Sequence, residues 1–173
     1  MRTEVLQDTF KKAMGNYPTG VTLITTISEE GSPIGLIANS FTSLSMDPAL
    51  VLWSIDHKVS TYGHFMHCKD FAVHILAAEQ GELLKDFTKK KKKDRFANVE
   101  WILSRSNIPI VKDTLAVIEC EIYNKMEAGD HTIIVGKIKE ISVEDKEPLL
   151  YHRRTAGAIP QEFYPEKETS LYY

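Results

Sequence analysis

The sequence predicts a mainly β fold, an antiparallel β-barrel with a few short peripheral helices. Segments rich in β-branched residues with a period of two recur along the chain, and short turns containing Gly, Asp or Pro separate most of them. Helical patterns are isolated pieces between these segments. A doubly wound α/β sheet would need helices that alternate regularly with buried strands, so the pattern disfavours it.

The N-terminal elements are a helix followed by a hairpin. Apolar residues spaced by three to five positions predict a short amphipathic helix over 4–15, with Thr3 as its candidate cap. A period of two then predicts strands over 20–28 and 33–40, joined by a Glu-Glu-Gly-Ser turn. A further strand over 49–55 follows an Asp-Pro turn signal.

Two long strands close the predicted core. The intervening and final elements are a helix over 59–67, a strand over 71–77, a helix over 78–87 and strands over 114–127 and 131–144. Ala128-Gly129-Asp130 joins the last two strands and suits a tight hairpin.

Length and composition place the chain among ordinary globular proteins. We expect one domain over residues 1–173, with an N-terminal helical segment over 1–18 and a C-terminal tail over 160–173. The chain is 43% apolar and 26% charged, with a formal net charge of −3. This near-neutral balance does not indicate a strongly charged partner.

Cysteine usage and hydropathy bear on the cellular compartment. Cys68 and Cys120 are the only cysteines, too few for a disulfide framework, and no CxxC pair is present. The N-terminus has no continuous apolar stretch of the kind found in a secretory signal, and no apolar run approaches the ~20 residues of a membrane span. We therefore expect a cytoplasmic protein that does not insert into a membrane.

Small polar residues crowd the stretch "GLIANSFTSLSMDP", residues 35–48. Hydroxyls and backbone N–H groups at a strand end can share the charge of a phosphate without lysine. The alternative is that Asn39 and the serines satisfy local turns, and composition alone favours that alternative. Neither GxGxxG nor GxxxxGK[ST] is present, so any nucleotide is held in another way.

Residues 35–48 resemble the signature of the flavin reductase-like family of FMN-binding split barrels. Three more runs keep the order of that family: "PTGV" at 18–21, "ECEIYNKMEAGDHTIIVGKI" at 119–138 and "PLLYHRR" at 148–154. The resemblance implies an antiparallel FMN-binding split β-barrel. The chain departs from the pattern at Ile37, where threonine is common, at Ala49, where a second proline is often found, and at His74, where asparagine is usual. The last run also lacks the glycine that often follows Arg153.

The resemblance also implies site residues for FMN or FAD. Residues along the flavin ring would be Ala38, Asn39 and Ser40, and Ile37 would also bind the cofactor. Residues reaching the ribityl chain and phosphate would be Ser43, Ser54, Ser60 and Thr61, with added charge from Lys58 and the dipole of a helix that begins near Ser60. His131 would be the catalytic residue beside the nicotinamide, and Arg153 would help bind that substrate.

The function implied is that of an NAD(P)H:flavin oxidoreductase. Hydride would pass from NAD(P)H to FMN or FAD, and the reduced flavin would be supplied to a partner monooxygenase. Split barrels of this family are typically homodimers, and the aromatic C-terminal tail could cover that interface. The alternative is a flavin-binding electron carrier without efficient NAD(P)H oxidation.

Two further patterns favour other functions. His64, His67 and Cys68 have helical spacing for a metal, but a partly exposed helix with a core-facing cysteine explains them better, so we expect no metal site. The basic run Lys89–Lys93, with Arg95, is typical of a solvated loop and could attract nucleotide phosphates. A nucleic-acid-binding barrel would also use such a run, but the acidic overall balance argues against nucleic acid as a partner.

Overall fold

A computed structural model describes residues 2–88 and 94–164. The helices are α1 (Arg2–Gly15), α2 (Tyr62–His67) and α3 (Gly81–Thr88), with short 3₁₀ turns at Ala78–Gln80 and Gln161–Phe163. The strands are β1 (Thr19–Gly20), β2 (Thr22–Ile27), β3 (Pro33–Ala38), β4 (Thr42–Met46), β5 (Ala49–Asp56), β6 (Asp70–Ile75), β7 (Trp101–Leu103), β8 (Pro109–Val111), β9 (Ala116–Ala128), β10 (His131–Val143), β11 (Leu149–His152) and β12 (Thr155–Ala158).

Seven strands form the main sheet, in the order β3-β2-β6-β9-β10-β5-β4, and every described pairing in it is antiparallel. Because β3 and β4 are its two edges, the sheet curls without closing, as expected of a split barrel. Two small sheets, β1-β11-β12 and β7-β8, lie beside it. The predicted mainly antiparallel β fold is confirmed.

Strand β2 separates two apolar clusters because alternate side chains of a strand point to opposite faces. Ile24 packs into a cluster around Trp53 and Phe71, whereas Leu23 packs into a second cluster with Phe87. Strand β3 divides in the same way: Ala38 belongs to the first cluster, and the partly buried Ile37 packs on the second.

Gly35 allows α3 to approach β3. A Cβ atom at this position would lie 2.6 Å from Cε1 of Phe87 and 3.0 Å from Cζ of Phe96. No side chain fits so close to two buried rings, so glycine permits the contact. This packing sets α3 and Phe96 against the outer face of β3.

His74 is a buried structural residue. Its Nδ1–H donates to the carbonyl of Leu23 at 3.0 Å, and its Nε2 accepts the N–H of Val111 at 3.1 Å. Burial lowers the pKa of the ring to about 4, against the opposing hydrogen bond to Leu23. A neutral imidazole therefore joins β2 to β8 across β6.

Several predicted elements are confirmed and others need correction. The hairpin of β2 and β3 and the tight turn at Gly129-Asp130 are present. Helix α1 begins at Arg2, so Thr3 lies inside the helix and is not its cap. The helix predicted over 78–87 is a 3₁₀ turn followed by α3, and the helix predicted over 59–67 is shortened to α2.

The polar stretch before Pro48 forms an edge strand, β4, that the sequence did not predict. It pairs with β5 and carries a register shift between Ser43 and Ser45.

Within the described residues, no helix combines the length and apolar character needed to cross a bilayer.

Candidate functional site

The turn of the β9–β10 hairpin and the end of β5 form one corner of the molecule. His131 is paired with Asp56 in the sheet, and the backbone N–H of Lys58 donates to Oδ1 of Asp56 at 2.8 Å. The N–H of His57 donates to the carbonyl of Asp130 at 3.1 Å. The structure thus brings Lys58 and His131, which are far apart in sequence, to the same corner.

Asp130 orients the imidazole of His131. Nδ1 of His131 lies 2.7 Å from Oδ1 of Asp130, and the side chain of His131 is 41% exposed. The hydrogen bond from His131, its charge and the more distant charge of Lys58 lower the pKa of Asp130, so its carboxylate persists below the usual pH range. Because Nδ1 is held, Nε2 is the ring atom available to a ligand.

A polar cluster next to this corner fixes α2 to the hairpin. The hydroxyls of Tyr62 and Thr132 lie 2.9 Å apart, and Thr132 donates to Oε1 of Glu127 at 2.9 Å. Nε2 of His57 lies 2.9 Å from Oε2 of Glu127. Tyr62 follows Thr61 and Thr132 follows His131, so the cluster holds two predicted site residues in fixed relation. No motif in the sequence signalled this cluster.

The hydroxyl of Ser40, which follows β3, hydrogen-bonds to the backbone of β5. Its Oγ accepts the N–H of Ser54 at 3.0 Å and donates to the carbonyl of Ser54 at 3.2 Å. The hydroxyl of Ser40 is therefore occupied by β5. Ser43 is exposed on β4, where it pairs with Val51.

A cavity of about 580 Å³, here called the Arg95 cavity, lies between β3, the start of α2 and the segment leading to β7. Ser60, Thr61, Gly35, Arg95 and Trp101 are among the residues that line it. The guanidinium of Arg95 contacts the carbonyl of Gly35 at 3.4 Å. The cavity thus combines hydroxyls, the cation of Arg95, the carboxylate of Asp94 and an aromatic wall.

The hydroxyl of Thr61 is buried and has no hydrogen-bond partner among the described residues. It precedes α2 but does not cap it. A buried hydroxyl without a partner costs free energy unless a ligand or water satisfies it. The helix predicted to begin near Ser60 begins at Tyr62, and α2 has only six residues.

A second cavity of about 660 Å³, here called the Arg154 cavity, lies on the same outer face of β3. Ile37, Asn39, Lys85, Tyr151 and Arg154 contribute to its lining. Ile37 and Asn39 alternate with the buried Ala38, so the predicted ring-contacting residues do not share one face.

Arg153 and Arg95 have roles that spacing alone did not define. Nε of Arg153 donates to Oδ1 of Asn16 at 2.7 Å, and it does not line either cavity. Arg95 belongs to the basic run in the sequence, and among the described residues of that run it lines the same cavity as Thr61. Lys89–Lys93 and the tail over 165–173 lie outside the described residues.

The predicted metal candidates have other contacts. Nδ1 of His67 lies 2.8 Å from the carbonyl of Gly63, and Sγ of Cys68 donates to the carbonyl of Phe65 at 3.4 Å. Within 2–88 and 94–164, no group of three or more His, Cys, Asp or Glu side chains is placed to hold a metal ion.

Comparison with known proteins places this architecture in a family. The model of the flavin reductase like domain matches residues 14–160. The FMN reductase (NADH) SmoA of Agrobacterium fabrum is 39% identical over 153 residues, which cover 88% of this chain and 86% of that protein. The reductase component of the flavin-dependent trigonelline monooxygenase of Acinetobacter baylyi is 38% identical over 143 residues, 83% of this chain but 46% of that protein.

A solved structure agrees with this assignment. The NADH:FAD oxidoreductase SgcE6 of Streptomyces globisporus, in complex with NAD and FAD fragments, superposes with a TM-score of 0.85 at 29% identity. The match covers 91% of this chain and 95% of that one. The chain therefore belongs to the flavin reductase-like family.

Proposed function

We propose that this protein is an NAD(P)H-dependent flavin reductase, which binds FMN or FAD and reduces it with NADH or NADPH. The observation that carries the proposal is the buried, unpaired hydroxyl of Thr61 in a cavity that also contains Ser60 and Arg95. The names of the relatives, an FMN reductase (NADH) and the reductase component of a monooxygenase, favour the same activity.

The Arg95 cavity fits the phosphate end of a flavin. Thr61 and Ser60 would donate neutral hydrogen bonds to phosphate oxygens, and the guanidinium of Arg95 would supply the compensating charge. Lys58 would add positive charge from the neighbouring corner, where it already acts on Asp130. A phosphate would thereby satisfy the Thr61 hydroxyl that the protein leaves without a partner.

The edge of β3 would hold the flavin ring. Strand β3 pairs with β2 on one side only among the described residues, so backbone groups on its other side remain for a ligand. Residues Ile37–Ser40 would present these groups, while the bond of Ser40 to Ser54 keeps the strand end in place. Ser43 remains a predicted contact to the ribityl chain.

His131 would position the nicotinamide. Bound flavin supplies the chemistry by accepting a hydride from the reduced nicotinamide. The protein needs to hold donor and acceptor rings in reach and to exclude nonproductive orientations. Asp130 fixes the imidazole through Nδ1, which leaves Nε2 to hydrogen-bond the substrate. Arg153 remains a predicted contributor to substrate binding.

A binding and turnover assay tests this function. We expect FMN or FAD to bind, seen as quenching of flavin fluorescence, and NADH or NADPH oxidation to exceed the rate with free flavin alone. Flavin binding without faster NAD(P)H oxidation would favour an electron carrier and overturn the reductase proposal. Absence of flavin binding would overturn both.

We also propose a homodimer, because α1 exposes apolar side chains that a second copy could cover. Val5, Leu6 and Phe10 are 63%, 68% and 63% exposed, and a helix of this length is marginal without packing. Light scattering should give about twice the 19.6 kDa chain mass. Phe10→Glu should shift the mass toward that of the monomer, whereas Lys11→Glu on the same helix should not. A monomeric wild-type protein would contradict this.

The reduced flavin is proposed to serve a partner monooxygenase, as the name of the Acinetobacter relative implies for that protein. A cytoplasmic location is proposed from the cysteines, since Cys68 and Cys120 are both free.

A further inference from the structure

Two consecutive arginines turn the hairpin between β11 and β12. The register pairs His152 with Thr155, so Arg153 and Arg154 form a two-residue loop. Their φ angles are +49° and +65°. Two-residue loops with positive φ at both positions strongly favour Asn-Gly, because a Cβ atom is strained in the left-handed region. Arginine at both positions therefore needs an explanation.

Contacts to α1 explain Arg153. Its backbone N–H donates to the carbonyl of Gly15 at 3.2 Å, and its Nε donates to Oδ1 of Asn16 at 2.7 Å. These bonds fasten the hairpin to the end of α1. Arg154 has no such contact: among the described residues, no side chain or carbonyl is within hydrogen-bond or ion-pair distance of its guanidinium.

Arg154 instead lines the Arg154 cavity. Lys85, the other cation there, is paired with Glu82 at 2.6 Å, so its charge is already compensated. Arg154 is the uncompensated cation of the described lining. Ile37, Tyr151 and Ala156 add apolar and aromatic surface beside it. Such a combination fits a phosphate group carried by a molecule with planar rings.

We propose that Arg154 binds a phosphate group of the reduced pyridine nucleotide and thereby determines how well NADH and NADPH are used. This inference rests on the proposed function. That proposed function assigns the phosphate of the flavin to Thr61, Ser60 and Arg95 in the Arg95 cavity. The Arg154 cavity, which adjoins Asn39 at the other end of β3, is therefore assigned to the second substrate.

The experiment compares Arg154→Gly with wild type. Glycine adopts a φ of +65° without strain, so this variant removes the cation while it preserves or improves the stability of the turn. Arg154→Lys retains the charge. Arg105→Gln is the matched control, because this substitution also removes one arginine charge. Arg105 is exposed between β7 and β8 and lines neither cavity.

Steady-state KM is measured for NADH, for NADPH and for a phosphate-free dihydronicotinamide such as 1-benzyl-1,4-dihydronicotinamide. In Arg154→Gly we expect KM for at least one dinucleotide to rise about fivefold or more, since a partly exposed charged hydrogen bond is lost. KM for the phosphate-free donor and the Kd of FMN should be unchanged. The midpoint of unfolding should be unchanged or higher. Arg154→Lys should recover part of the loss, and Arg105→Gln should match wild type.

The donors separate the phosphate sources. A rise confined to NADPH assigns Arg154 to the 2′-phosphate, and an equal rise for both dinucleotides assigns it to the pyrophosphate. If KM for NADH and KM for NADPH are both unchanged in Arg154→Gly, the inference is overturned. The same holds if the variant loses affinity for FMN and its KM values do not rise. Neither result would contradict the reductase function. A wild-type protein that oxidises neither dinucleotide would instead refute the proposed function.

Discussion

His74 and His131 show how two surroundings give one side chain opposite roles. His74 is fully buried, and both of its ring nitrogens are bonded to backbone groups of β2 and β8. His131 is 41% exposed at a hairpin turn, and only its Nδ1 is held, by Asp130. A histidine with both nitrogens used inside the protein joins strands, whereas an exposed histidine with one nitrogen left unbonded can contact a ligand.

The comparison predicts its largest effect at His74. In His74→Leu, the carbonyl of Leu23 and the N–H of Val111 lose their partner inside the protein. We expect the free energy of unfolding to fall by about 2 to 4 kcal/mol, because two buried polar groups are left unpaired. Urea denaturation followed by circular dichroism measures this.

The matched variant is His131→Leu. Because His131 is half exposed, its free energy of unfolding should stay within about 0.5 kcal/mol of wild type. Equal losses for the two variants would contradict the division of roles.

Acid should destabilise the protein through His74. The pKa of the ring is about 4 when folded, against 6.5 for an ordinary imidazole, so the unfolded chain takes up this proton first as pH falls. The stability that depends on neutral His74 is fully present above pH 6.5. Between pH 6.5 and pH 4, the free energy of unfolding should fall by about 3 kcal/mol in total as the unfolded chain takes up the proton. Urea denaturation across this range should show the slope in wild type and a shallower one in His74→Asn. The same slope in both proteins would rule out His74 as its source.

At the His131 corner, the expected loss is in turnover. His131→Ala should lower kcat/KM for the pyridine nucleotide about tenfold, because the substrate loses a positioned hydrogen bond. Asp130→Asn should have a smaller effect of the same kind, since it weakens the bond that orients the ring. The Kd of FMN should change little in either variant. A drop in FMN affinity that accounted for the whole loss would show that His131 contacts the flavin and not the donor.

The smallest effect is expected at Thr61. Thr61→Val removes an unpaired buried hydroxyl and should raise the free energy of unfolding of the flavin-free protein by about 1 kcal/mol. Affinity for FMN should fall severalfold, because the phosphate loses a donor. Thr25→Val is the control with the opposite sign: Oγ1 of Thr25 donates to the carbonyl of Pro109 at 2.6 Å, so the substitution should destabilise. A Thr61→Val variant that binds FMN as wild type does would remove Thr61 from the site.

Sequence patterns predicted the elements whose own residues determine them. Alternating apolar residues identified β2 and β3, and Gly129 with Asp130 identified the long hairpin, since each signal lies within one short segment. Strand β4 was missed because serine and threonine fill most of it and its two apolar residues, Leu44 and Met46, are too few to establish a period. The short strands β7, β8, β11 and β12 carry too few residues to show a period.

The site was predictable only in part, because it depends on contacts between distant segments. The resemblance to the family named Thr61 and His131, but no spacing in the sequence shows that Tyr62 and Thr132 hold them together. Thr61 and Arg95 line one cavity because Gly35 lets Phe87 of α3 and Phe96, next to Arg95, pack on β3. The second hydrogen bond of His74, accepted by Nε2 from the N–H of Val111, likewise depends on β8, a strand that the sequence did not predict.

The most direct test of the reductase assignment is single-turnover reduction of protein-bound FMN, followed anaerobically as loss of visible flavin absorbance after NADH or NADPH is added. Wild type, His74→Asn and His131→Gln should all bind FMN. Bleaching should be equally fast in wild type and His74→Asn and several times slower in His131→Gln. Equal rates in all three proteins would contradict the role given to His131, and an absence of bleaching in wild type would contradict the assignment itself.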